Sequence, residues 1–355
     1  MTNDKKTLSA AERVAYSLRE LFERYGYKQY RMSKFEEYDL YVRNKSFLLS
    51  DQIITFTDTD GKLMALKPDV TLSIVKNSPE SECGVRKVYY NENVYRVPKG
   101  AFSYKEIMQA GVECIGEIDA YSVCEVLTLA AKSLCQISDD FVLDISDLGI
   151  ISAVVDSMSL DLVGRERMIT AVGDKNVDEI ESICREYGVC GDLLCSLVKM
   201  NGDADEMLEM LKGSECIEEA REFATIVSVL RERFGTRVRI DFSVVDDMRY
   251  YNGIVFKGFI KGIPTSVLSG GRYDSLMSRM GKKSGALGFA VYLDLIDELD
   301  TDTDEYDCDV FLIYEENTPI GAIAKRAEEI AADGKRVRCG RTVPSGVSFK
   351  ETVEI

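Results

Sequence analysis

The sequence predicts an α+β fold, in which helices pack on an antiparallel sheet, a helical insertion interrupts the strands, and a short α/β unit follows. Three observations predict it. Runs rich in β-branched and aromatic residues lie before residue 118 and again at 236–291. Helix-like segments with acidic surfaces fill the chain between about 140 and 233. The pattern of residues 308–355 is that of a strand, a helix and a second strand.

The first predicted element is an amphipathic helix over residues 9–25. Ser9 and Glu12 have the spacing of a capping box, and Gly26 is expected to end the helix. Its buried stripe would contain Val14, Leu18, Leu21, Phe22 and Tyr25. Residues 53–67 then predict a β-hairpin, because Asp60 and Gly61 form a turn signal between two strand-like runs.

The other elements up to residue 300 are predicted from the same patterns. They are, in order, strands at 85–97 and 107–116, a helix at about 118–135, the helical insertion, strands at 236–244, 253–260 and 286–291, and a helix at about 292–299. Apolar residues alternate with polar ones from Val238 to Val244, as in a half-buried strand. Within residues 244–256, Asn252 and Gly253 predict a turn that joins two strand ends.

The predicted organisation is therefore a core over residues 1–300, with the insertion at about 140–233, and a small C-terminal unit over 308–355. Residues 301–307 are acidic and predict a linker. In the C-terminal unit, a helix would run from Pro319 to Asp333 and stop at Gly334. About 50 residues are too few for an independent hydrophobic core.

Composition excludes several classes of function. The chain of 355 residues has a net charge of −17, which disfavours binding to a phosphate backbone. It contains no histidine, so triads and metal sites that use imidazole are excluded. Its ten cysteines lack CxxC spacing and are expected to be buried thiols, so neither a metal site nor a disulfide framework is predicted. No membrane-length apolar run or secretory signal is found, and a cytoplasmic protein is expected.

A small polar pocket is predicted on one face of the strand at 107–116. Side chains alternate along a strand, so Gln109, Gly111 and Glu113 would project together. Gln109 and Glu113 would lie roughly 13 Å apart with a gap between them that carries no side chain. This face could equally be an ordinary solvated side of an antiparallel sheet.

Two further segments have both a structural and a functional interpretation. In LKPDVT, Asp69 or Thr71 is a natural helix cap, which is the simpler explanation. In SGGRYDSL, Gly270 and Gly271 could form a turn into a helix, or could let the backbone approach a ligand.

Five motifs in order resemble the histidyl-tRNA synthetase catalytic fold, a class II aminoacyl-tRNA synthetase fold. They are LKPDVT, VYRV…QAGVECIG, YYNGIVF, SGGRYDSLM and ALGFAVYLDLI, and the resemblance covers roughly residues 8–300. The resemblance implies a pocket for free histidine. Asp69, Thr71 and Gln109 match positions around the α-ammonium group, while Glu113 and Tyr251 match contacts to the imidazole. Tyr250 and Tyr273 would complete an aromatic wall.

Departures from the synthetase pattern fall on the nucleotide half of the site. Asp246 occupies the position of an arginine that works on adenylation, and Leu295 occupies that of an arginine that contacts ATP. Arg96 is retained. Phosphoryl-transfer chemistry depends on positioned cations, so a vestigial nucleotide site and loss of aminoacylation are expected.

A synthetase-like chain with damaged ATP motifs and LKPDVT resembles the regulatory subunit of ATP phosphoribosyltransferase. The resemblance implies a chain without catalytic residues, cofactor or metal. It would associate with itself as a dimer or larger oligomer and would assemble with a short catalytic subunit. In that family the catalytic subunit joins ATP to phosphoribosyl pyrophosphate in the first step of histidine synthesis. Free histidine would be a feedback effector, and tRNA would not bind.

Two alternatives remain open at this point. A divergent synthetase paralogue could still activate an amino acid or modify a protein, with Arg96 and Lys105 as its remaining cations. A scaffold without any small ligand would leave the face of Gln109 and Glu113 inert.

Overall fold

The computed structural model describes residues 8–44, 48, 53–78, 84–97, 103–200, 202, 204–245, 250–297 and 306–355. The chain divides into two compact units, Met1–Leu299 and Asp300–Ile355. The predicted linker, at 301–307, lies mostly outside the described residues. Among the described helices, none combines the length and apolar character that crossing a bilayer requires.

Within the described residues, the strands lie on both sides of a run of six helices, from Leu148 to Phe234. In chain order they are β1 (Lys28–Gln29), β2 (Phe35–Glu37), β3 (Thr55–Thr57), β4 (Leu63–Leu66), β5 (Val85–Arg96), β6 (Lys105–Gly116), β7 (Phe141–Asp147), β8 (Val238–Ile240), β9 (Ile254–Ile260), β10 (Leu268–Arg272), β11 (Gly285–Tyr292), β12 (Cys308–Ile313), β13 (Val337–Gly340) and β14 (Phe349–Glu354).

The described helices are concentrated between β7 and β8. In chain order they are α1 (Ala10–Arg24), α2 (Tyr38–Arg43), α3 (Thr71–Lys76), α4 (Ala120–Ile137), α5 (Leu148–Asp156), α6 (Leu162–Gly173), α7 (Val177–Tyr187), α8 (Asp192–Lys199), α9 (Ala204–Met210), α10 (Ile217–Phe234), α11 (Asp274–Arg279) and α12 (Ile320–Ala332).

An eight-stranded sheet organises the first unit, with the order β1-β5-β6-β11-β10-β9-β7-β8. In this order, the six inner strands from β5 through β11 to β7 pair antiparallel with one another. The edge strands pair parallel, β1 with β5 and β8 with β7. The sheet is therefore mixed at its margins. The predicted α+β class, with helices packed on a largely antiparallel sheet, is confirmed.

Helix α1 begins and ends as the sequence predicts. Ser9 Oγ accepts a hydrogen bond from the Glu12 amide at 3.2 Å, and the Glu12 carboxylate accepts one from the Ser9 amide at 2.9 Å. Gly26 follows the last turn with a φ of 80°. Val14, Leu18 and Phe22 are buried against the sheet, so the predicted stripe is confirmed.

Substituting the cap residue should destabilise the first unit. Ser9→Ala removes the acceptor for the Glu12 amide and is expected to lower the free energy of unfolding by about 1 kcal/mol. Urea unfolding followed by circular dichroism would measure the loss. Ser9→Asn, which restores a side-chain acceptor, should unfold like the parent protein; an equal loss in both variants would contradict the cap assignment.

The predicted hairpin at 53–67 is also present. Strands β3 and β4 pair antiparallel, with Thr55 opposite Ala65, and the intervening loop contains Gly61 with a φ of 85°. Strand β2 adds to the other edge of β4, which produces a small separate sheet with the order β2-β4-β3. The residue after β4 leads directly into the Pro68–Thr71 segment of the candidate site.

The structure places the start of the helical insertion later than predicted. Residues 141–147 form β7, which pairs with β9 on one side and β8 on the other. Phe141, Leu143 and Ile145 are buried on one face of this strand. In the sequence this strand runs directly into the apolar segment that forms α5, so the strand was not distinguished from the helices that follow. The described helical run therefore begins at Leu148 and ends at Phe234.

Two local predictions near the end of the first unit are wrong. The Asn252-Gly253 pair does not join hairpin strands, because β7 lies between β8 and β9 in the sheet. The Asn252 amide instead donates to Arg272 O of β10, and Gly253 O accepts from Leu148 N. The helix predicted at about 292–299 is a 3-10 turn over Leu293–Leu295, since β11 extends to Tyr292. Residues 298 and 299 lie outside the described part.

The strand predicted at 236–244 spans only Val238–Ile240, but the predicted alternation from Val238 to Val244 is correct. Strand β8 ends at Ile240, and the Asp241 amide still donates to Ile145 O of β7. Val238, Ile240, Phe242 and Val244 are nevertheless all at least 95% buried. Every second residue therefore stays buried after the end of strand β8.

The faces of the large sheet belong to different hydrophobic clusters. Ala110, Val112 and Cys114 of β6 pack in the larger cluster with α1 and α4. Ile107 and Ile115 of the same strand pack in a second cluster with α3 and α11. This second face also carries Gln109 and Glu113. The predicted division of β6 into two faces is confirmed.

The C-terminal unit contains the predicted β-α-β element and one further strand. Strands β13 and β14 both pair parallel with β12, in the order β13-β12-β14. Helix α12 follows Pro319 and is succeeded by Gly334 with a φ of 76°. Val310, Leu312 and Ile330 form its small buried cluster. The strand β14 was missed because Phe349–Glu354 contains three charged residues and only two large apolar ones.

Candidate functional site

A cavity of about 520 Å³ lies on the second face of the large sheet. It brings together all seven residues that the sequence analysis assigned to a histidine pocket. These are Asp69, Thr71, Gln109, Glu113, Tyr250, Tyr251 and Tyr273. Arg96, which was assigned to the vestigial nucleotide site, also lines the cavity.

The floor of the cavity is open because small residues face it on three neighbouring strands. In one cross-strand row, Gly111 of β6 lies opposite Ala290 of β11, which lies opposite Ser269 of β10. In the next row, Glu113 lies opposite Gly288, which lies opposite Gly271. A strand with large side chains at these positions would fill the space above the sheet. A cavity therefore remains above the sheet because all residues of these two rows except Glu113 have small side chains or none.

The predicted gap at Gly111 is partly filled by a side chain from the neighbouring strand. Tyr90 of β5 lies directly opposite Gly111, and a Cβ at that glycine would lie 2.6 Å from the Tyr90 hydroxyl oxygen. Tyr90 lines the cavity and is 2% exposed. Glycine at 111 therefore makes room for a tyrosine, in addition to opening the floor between Gln109 and Glu113.

Glu113 is the most deeply buried acid in the cavity wall, with 2% of its surface exposed. Thr71 donates its hydroxyl to Glu113 Oε1 at 2.7 Å, and the Tyr273 hydroxyl donates to Oε2. A Cβ at Gly288 would collide with this carboxylate and with the Val112 carbonyl oxygen. Two hydroxyl groups and one glycine thus hold Glu113 in place.

Burial raises the pKa of Glu113 to about 8, although its two hydroxyl donors oppose the rise. Nearby Asp69 adds a smaller repulsion in the same direction. The desolvation of a carboxylate favours its neutral form. Glu113 in the empty cavity therefore carries a proton near neutral pH, and a cationic ligand would favour its ionised form.

This raised pKa has a consequence for stability. Between pH 4.5, the ordinary glutamate value, and pH 8, the folded protein binds more protons than the unfolded chain. Its stability should consequently fall as pH rises, with a slope of up to about 1.4 kcal/mol per pH unit from this group. Glu113→Gln should remove that part of the slope. The measurement is urea unfolding at several pH values; identical slopes in both proteins would contradict it.

Asp69 both accepts a hydrogen bond at the start of α3 and lines the cavity. Its Oδ1 accepts a hydrogen bond from the Leu72 amide at 2.8 Å, which satisfies the start of α3. The same residue lines the cavity. Burial raises its pKa, while the Leu72 amide and the positive charge of Arg96 lower it. The helix cap therefore fixes an acid at the cavity wall.

Three tyrosines form the predicted aromatic wall. The ring centroids of Tyr250 and Tyr251 are 4.7 Å apart, and those of Tyr250 and Tyr273 are 5.8 Å apart. Burial raises the pKa of Tyr250 and of Tyr273 well above the ordinary value. These phenols remain neutral hydrogen-bonding groups throughout the physiological range.

Gln109 and Arg96 carry polar groups that the protein does not satisfy within the described residues. Gln109 is 5% exposed and Arg96 is 8% exposed. In that part of the chain neither side chain makes a hydrogen bond or an ion pair with another residue. Buried polar groups are normally hydrogen-bonded, so both groups are available to a ligand in the cavity.

Of the two remaining positions of the predicted nucleotide site, Leu295 is described by the structure and does not line the cavity. Leu295 lies in the 3-10 turn after β11 and packs against the larger hydrophobic cluster. It is not among the residues that line the cavity. Asp246 lies outside the described residues, as do its neighbours from 247 to 249.

Gly270 and Gly271 lie in a strand and not in a turn. Both belong to β10, and helix α11 begins two residues after the strand ends. A Cβ at Gly271 would lie 2.6 Å from the ring of Tyr251. This glycine therefore makes room for the aromatic wall.

Sequence reasoning missed several residues of the cavity. Gly288, Ser269, Tyr292 and Tyr90 all line it. Each lies on the cavity face of its strand by simple alternation, so the period-two pattern contained part of the signal. What was absent from the sequence is the strand order, which decides that β11 and β10 lie next to β6.

Comparisons with known proteins agree with this fold. An ATP phosphoribosyltransferase regulatory subunit from Bacillus thuringiensis (strain Al Hakam) is 25% identical over 346 residues, which span 92% of this chain and 81% of that protein. The crystal structure of an ATP phosphoribosyltransferase regulatory subunit/histidyl-tRNA synthetase from Bacillus halodurans C has a TM-score of 0.78 and 23% identity, and covers 97% of this chain and 93% of its own.

A second solved structure has the same fold. A chain of the ATP phosphoribosyl transferase complex from Thermotoga maritima matches with a TM-score of 0.62 and 19% identity, over 79% of this chain and 96% of its own. The predicted resemblance to regulatory subunits of this transferase is confirmed, as is the class II synthetase-like fold. The family model for histidyl-tRNA synthetase matches residues 4–296. Because this match spans most of the chain, the protein belongs to the histidyl-tRNA synthetase family.

Proposed function

We propose that this chain is a non-catalytic regulatory subunit of ATP phosphoribosyltransferase. It assembles with a short catalytic subunit and holds free histidine as a feedback effector in the cavity. The names of its relatives support the assignment to this transferase. The observation that carries the histidine assignment is the set of seven predicted residues around one cavity.

The acidic part of the cavity suits the α-ammonium group and a ring N–H of histidine. A carboxylate offers about four acceptor positions, and the hydroxyl groups of Thr71 and Tyr273 occupy two at Glu113. The others are open to a ring N–H. Asp69 keeps one oxygen beyond the cap hydrogen bond and can accept from an α-ammonium group.

The remaining polar groups match the rest of an amino acid. The Gln109 amide can accept from the ammonium group or donate to the carboxylate. Arg96 carries a positive charge into the same cavity and suits an anionic oxygen. The tyrosine wall provides flat apolar surface for an aromatic ring.

A regulatory role also explains why cationic residues are missing from the predicted nucleotide site. Catalysis of adenylation requires cations that stabilise the reacting phosphates. Leu295 offers no charge and packs in the hydrophobic cluster, and Asp246 would repel phosphates. Regulation requires only that histidine bind two states of the assembly with different affinity.

A thermal melt tests the ligand assignment. Histidine at about a hundred times its dissociation constant adds about 2.7 kcal/mol to the folded state and should raise the melting temperature by several degrees. ATP and other amino acids should leave it unchanged. Stabilisation by ATP as well would contradict the loss of the nucleotide site.

A second experiment tests the partnership. The chain and a short catalytic subunit should co-elute from a size-exclusion column, and the complex should lose transferase activity when histidine is added. A complex that forms but is insensitive to histidine would separate the assembly role from the feedback role.

A divergent synthetase is the second candidate, and the buried Arg96 favours it because this residue could hold a phosphate. The discriminating measurement is pyrophosphate exchange into ATP in the presence of histidine. We expect no exchange above background.

A further inference from the structure

One hydroxyl group at the floor of the cavity has no hydrogen-bond partner in the described part of the chain. Tyr90 of β5 is 2% exposed and lines the cavity. Among the described residues, its phenol group neither donates nor accepts a hydrogen bond. Tyr89, which faces the other side of the sheet, donates its hydroxyl to Glu23 at 2.7 Å. Buried polar groups are normally hydrogen-bonded, so the Tyr90 hydroxyl is available to a ligand.

The fold places this hydroxyl between two polar groups of the pocket. Tyr90 lies opposite Gly111, and a Cβ at that glycine would be 2.6 Å from the Tyr90 hydroxyl oxygen. Gln109 and Glu113 lie on either side of Gly111 along β6, and both line the cavity. Each is two residues from the glycine, roughly 7 Å along the strand. The oxygen therefore lies above the floor between an amide and a carboxylate.

The charges around Tyr90 favour a cationic ligand group. Burial raises the pKa of Tyr90 well above the ordinary tyrosine value, and the negative charges of Glu113 and Asp69 raise it further. The phenol consequently stays neutral, and its oxygen can accept a hydrogen bond. Because both acids act on Tyr90, a positive group attracted by them comes within reach of the phenol oxygen.

The number of donors on an ammonium group matches the acceptors at this end of the pocket. An ammonium group has three N–H donors. The second oxygen of Asp69 and the amide oxygen of Gln109 can accept two of them. Thr71 donates its hydroxyl to Glu113, on the side of the pocket assigned to the ring. The Tyr90 oxygen, beside Gln109 on the floor, can accept the third.

We propose that Tyr90 is a specificity-determining residue, whose hydroxyl oxygen accepts a hydrogen bond from the α-ammonium group of the bound amino acid. Acceptance from a charged donor makes this a charge-assisted hydrogen bond. The proposal rests on the amino-acid site of the proposed function and adds a recognition residue to it. A free amino group, and not only an imidazole ring, is then required for tight binding.

Replacing Tyr90 with phenylalanine tests this contact, because it removes one oxygen and keeps the ring. Isothermal titration should show histidine binding to Tyr90→Phe about tenfold more weakly, since a hydrogen bond to a charged group is lost. The urea midpoint of the empty protein should not fall, because no hydrogen bond within the described residues is lost. A lower midpoint would reveal a protein partner of the hydroxyl and overturn the assignment.

Tyr89→Phe is the matched control. It removes the same atom from the other face of the same strand, where the hydroxyl donates to Glu23. This variant should bind histidine like the parent protein. An equal loss of affinity in both variants would assign the effect to strand β5 in general and count against a contact with the ligand.

Two histidine analogues identify the ligand group that Tyr90 contacts. Histamine keeps the ammonium group and lacks the carboxylate, so its affinity should fall about as much as that of histidine in Tyr90→Phe. Imidazole-4-propionate lacks the ammonium group and should bind Tyr90→Phe and the parent protein equally. A loss confined to histidine would place the hydroxyl at the carboxylate, and a loss for imidazole-4-propionate would place it at the ring. Either result overturns the ammonium contact.

The outcomes separate this inference from the proposed function. If histidine binds the parent protein and Tyr90→Phe alike, the contact is overturned while the histidine pocket stands. If a different amino acid binds in place of histidine and loses about tenfold in Tyr90→Phe, the contact is supported and the histidine assignment fails. If none of the standard amino acids binds the parent protein, both are overturned.

Discussion

Replacing Glu113 with glutamine is expected to weaken histidine binding about a hundredfold while leaving the empty protein at least as stable as the parent near neutral pH. The amide cannot balance the positive charge of the ligand, and a charge-assisted hydrogen bond contributes about 1.5–3 kcal/mol. In the empty cavity, glutamine resembles the protonated acid that burial favours. Affinity and stability should therefore change independently.

Isothermal titration with histidine and urea unfolding measure these two quantities. Glu106→Gln is the matched control, because Glu106 lies on the same strand but is exposed and accepts hydrogen bonds from Asn93 and Tyr95. It should bind histidine like the parent protein. Unchanged affinity in Glu113→Gln, or unchanged histidine inhibition of its complex, would remove this pocket from the feedback mechanism.

Gly288→Ala is expected to lower the free energy of unfolding by about 3 kcal/mol, the upper part of the usual range for overpacking. The new methyl group would overlap the Glu113 carboxylate and the Val112 carbonyl oxygen. The carboxylate can move only by giving up its hydrogen bonds with Thr71 and Tyr273. The carbonyl belongs to the adjacent strand and cannot move without distorting the ladder.

Urea unfolding measures the free energy of unfolding of Gly288→Ala, and Gly253→Ala is the matched control. A Cβ at Gly253 would meet only the flexible side chain of Arg272, at 3.3 Å, so that variant should lose little stability. Adding Glu113→Ala to Gly288→Ala should recover part of the loss and leave the part caused by Val112. Equal stability of both glycine variants would contradict the close packing of β6 and β11.

Prediction from sequence was most successful where the signal is local. The capping box at Ser9, the hairpin around Gly61 and the alternation along β6 depend on residues a few positions apart. The Asn252-Gly253 turn failed although its local pattern is strong. A local signal cannot report that a third strand, β7, lies between the two strands it was thought to join.

The candidate site was predicted from motifs and not from geometry. Motif order identified all seven residues of the proposed histidine pocket, including Tyr250 and Tyr251 beside the wrongly predicted turn. It did not identify Gly288, whose role depends on its position opposite Glu113. It also grouped Leu295 with Arg96, although only Arg96 lines the cavity.

The sequence by itself determined the type and the buried face of most elements, because helix and strand periodicity, caps and turn residues act over a few neighbouring positions. It also excluded imidazole chemistry. Only the tertiary structure decided how Glu113 is held, since its hydroxyl donors, Thr71 and Tyr273, are 42 and 160 residues away in the chain. Strand order likewise decided the size of the cavity. The small residues of β6, β11 and β10 create open space only because the sheet places them in adjacent rows.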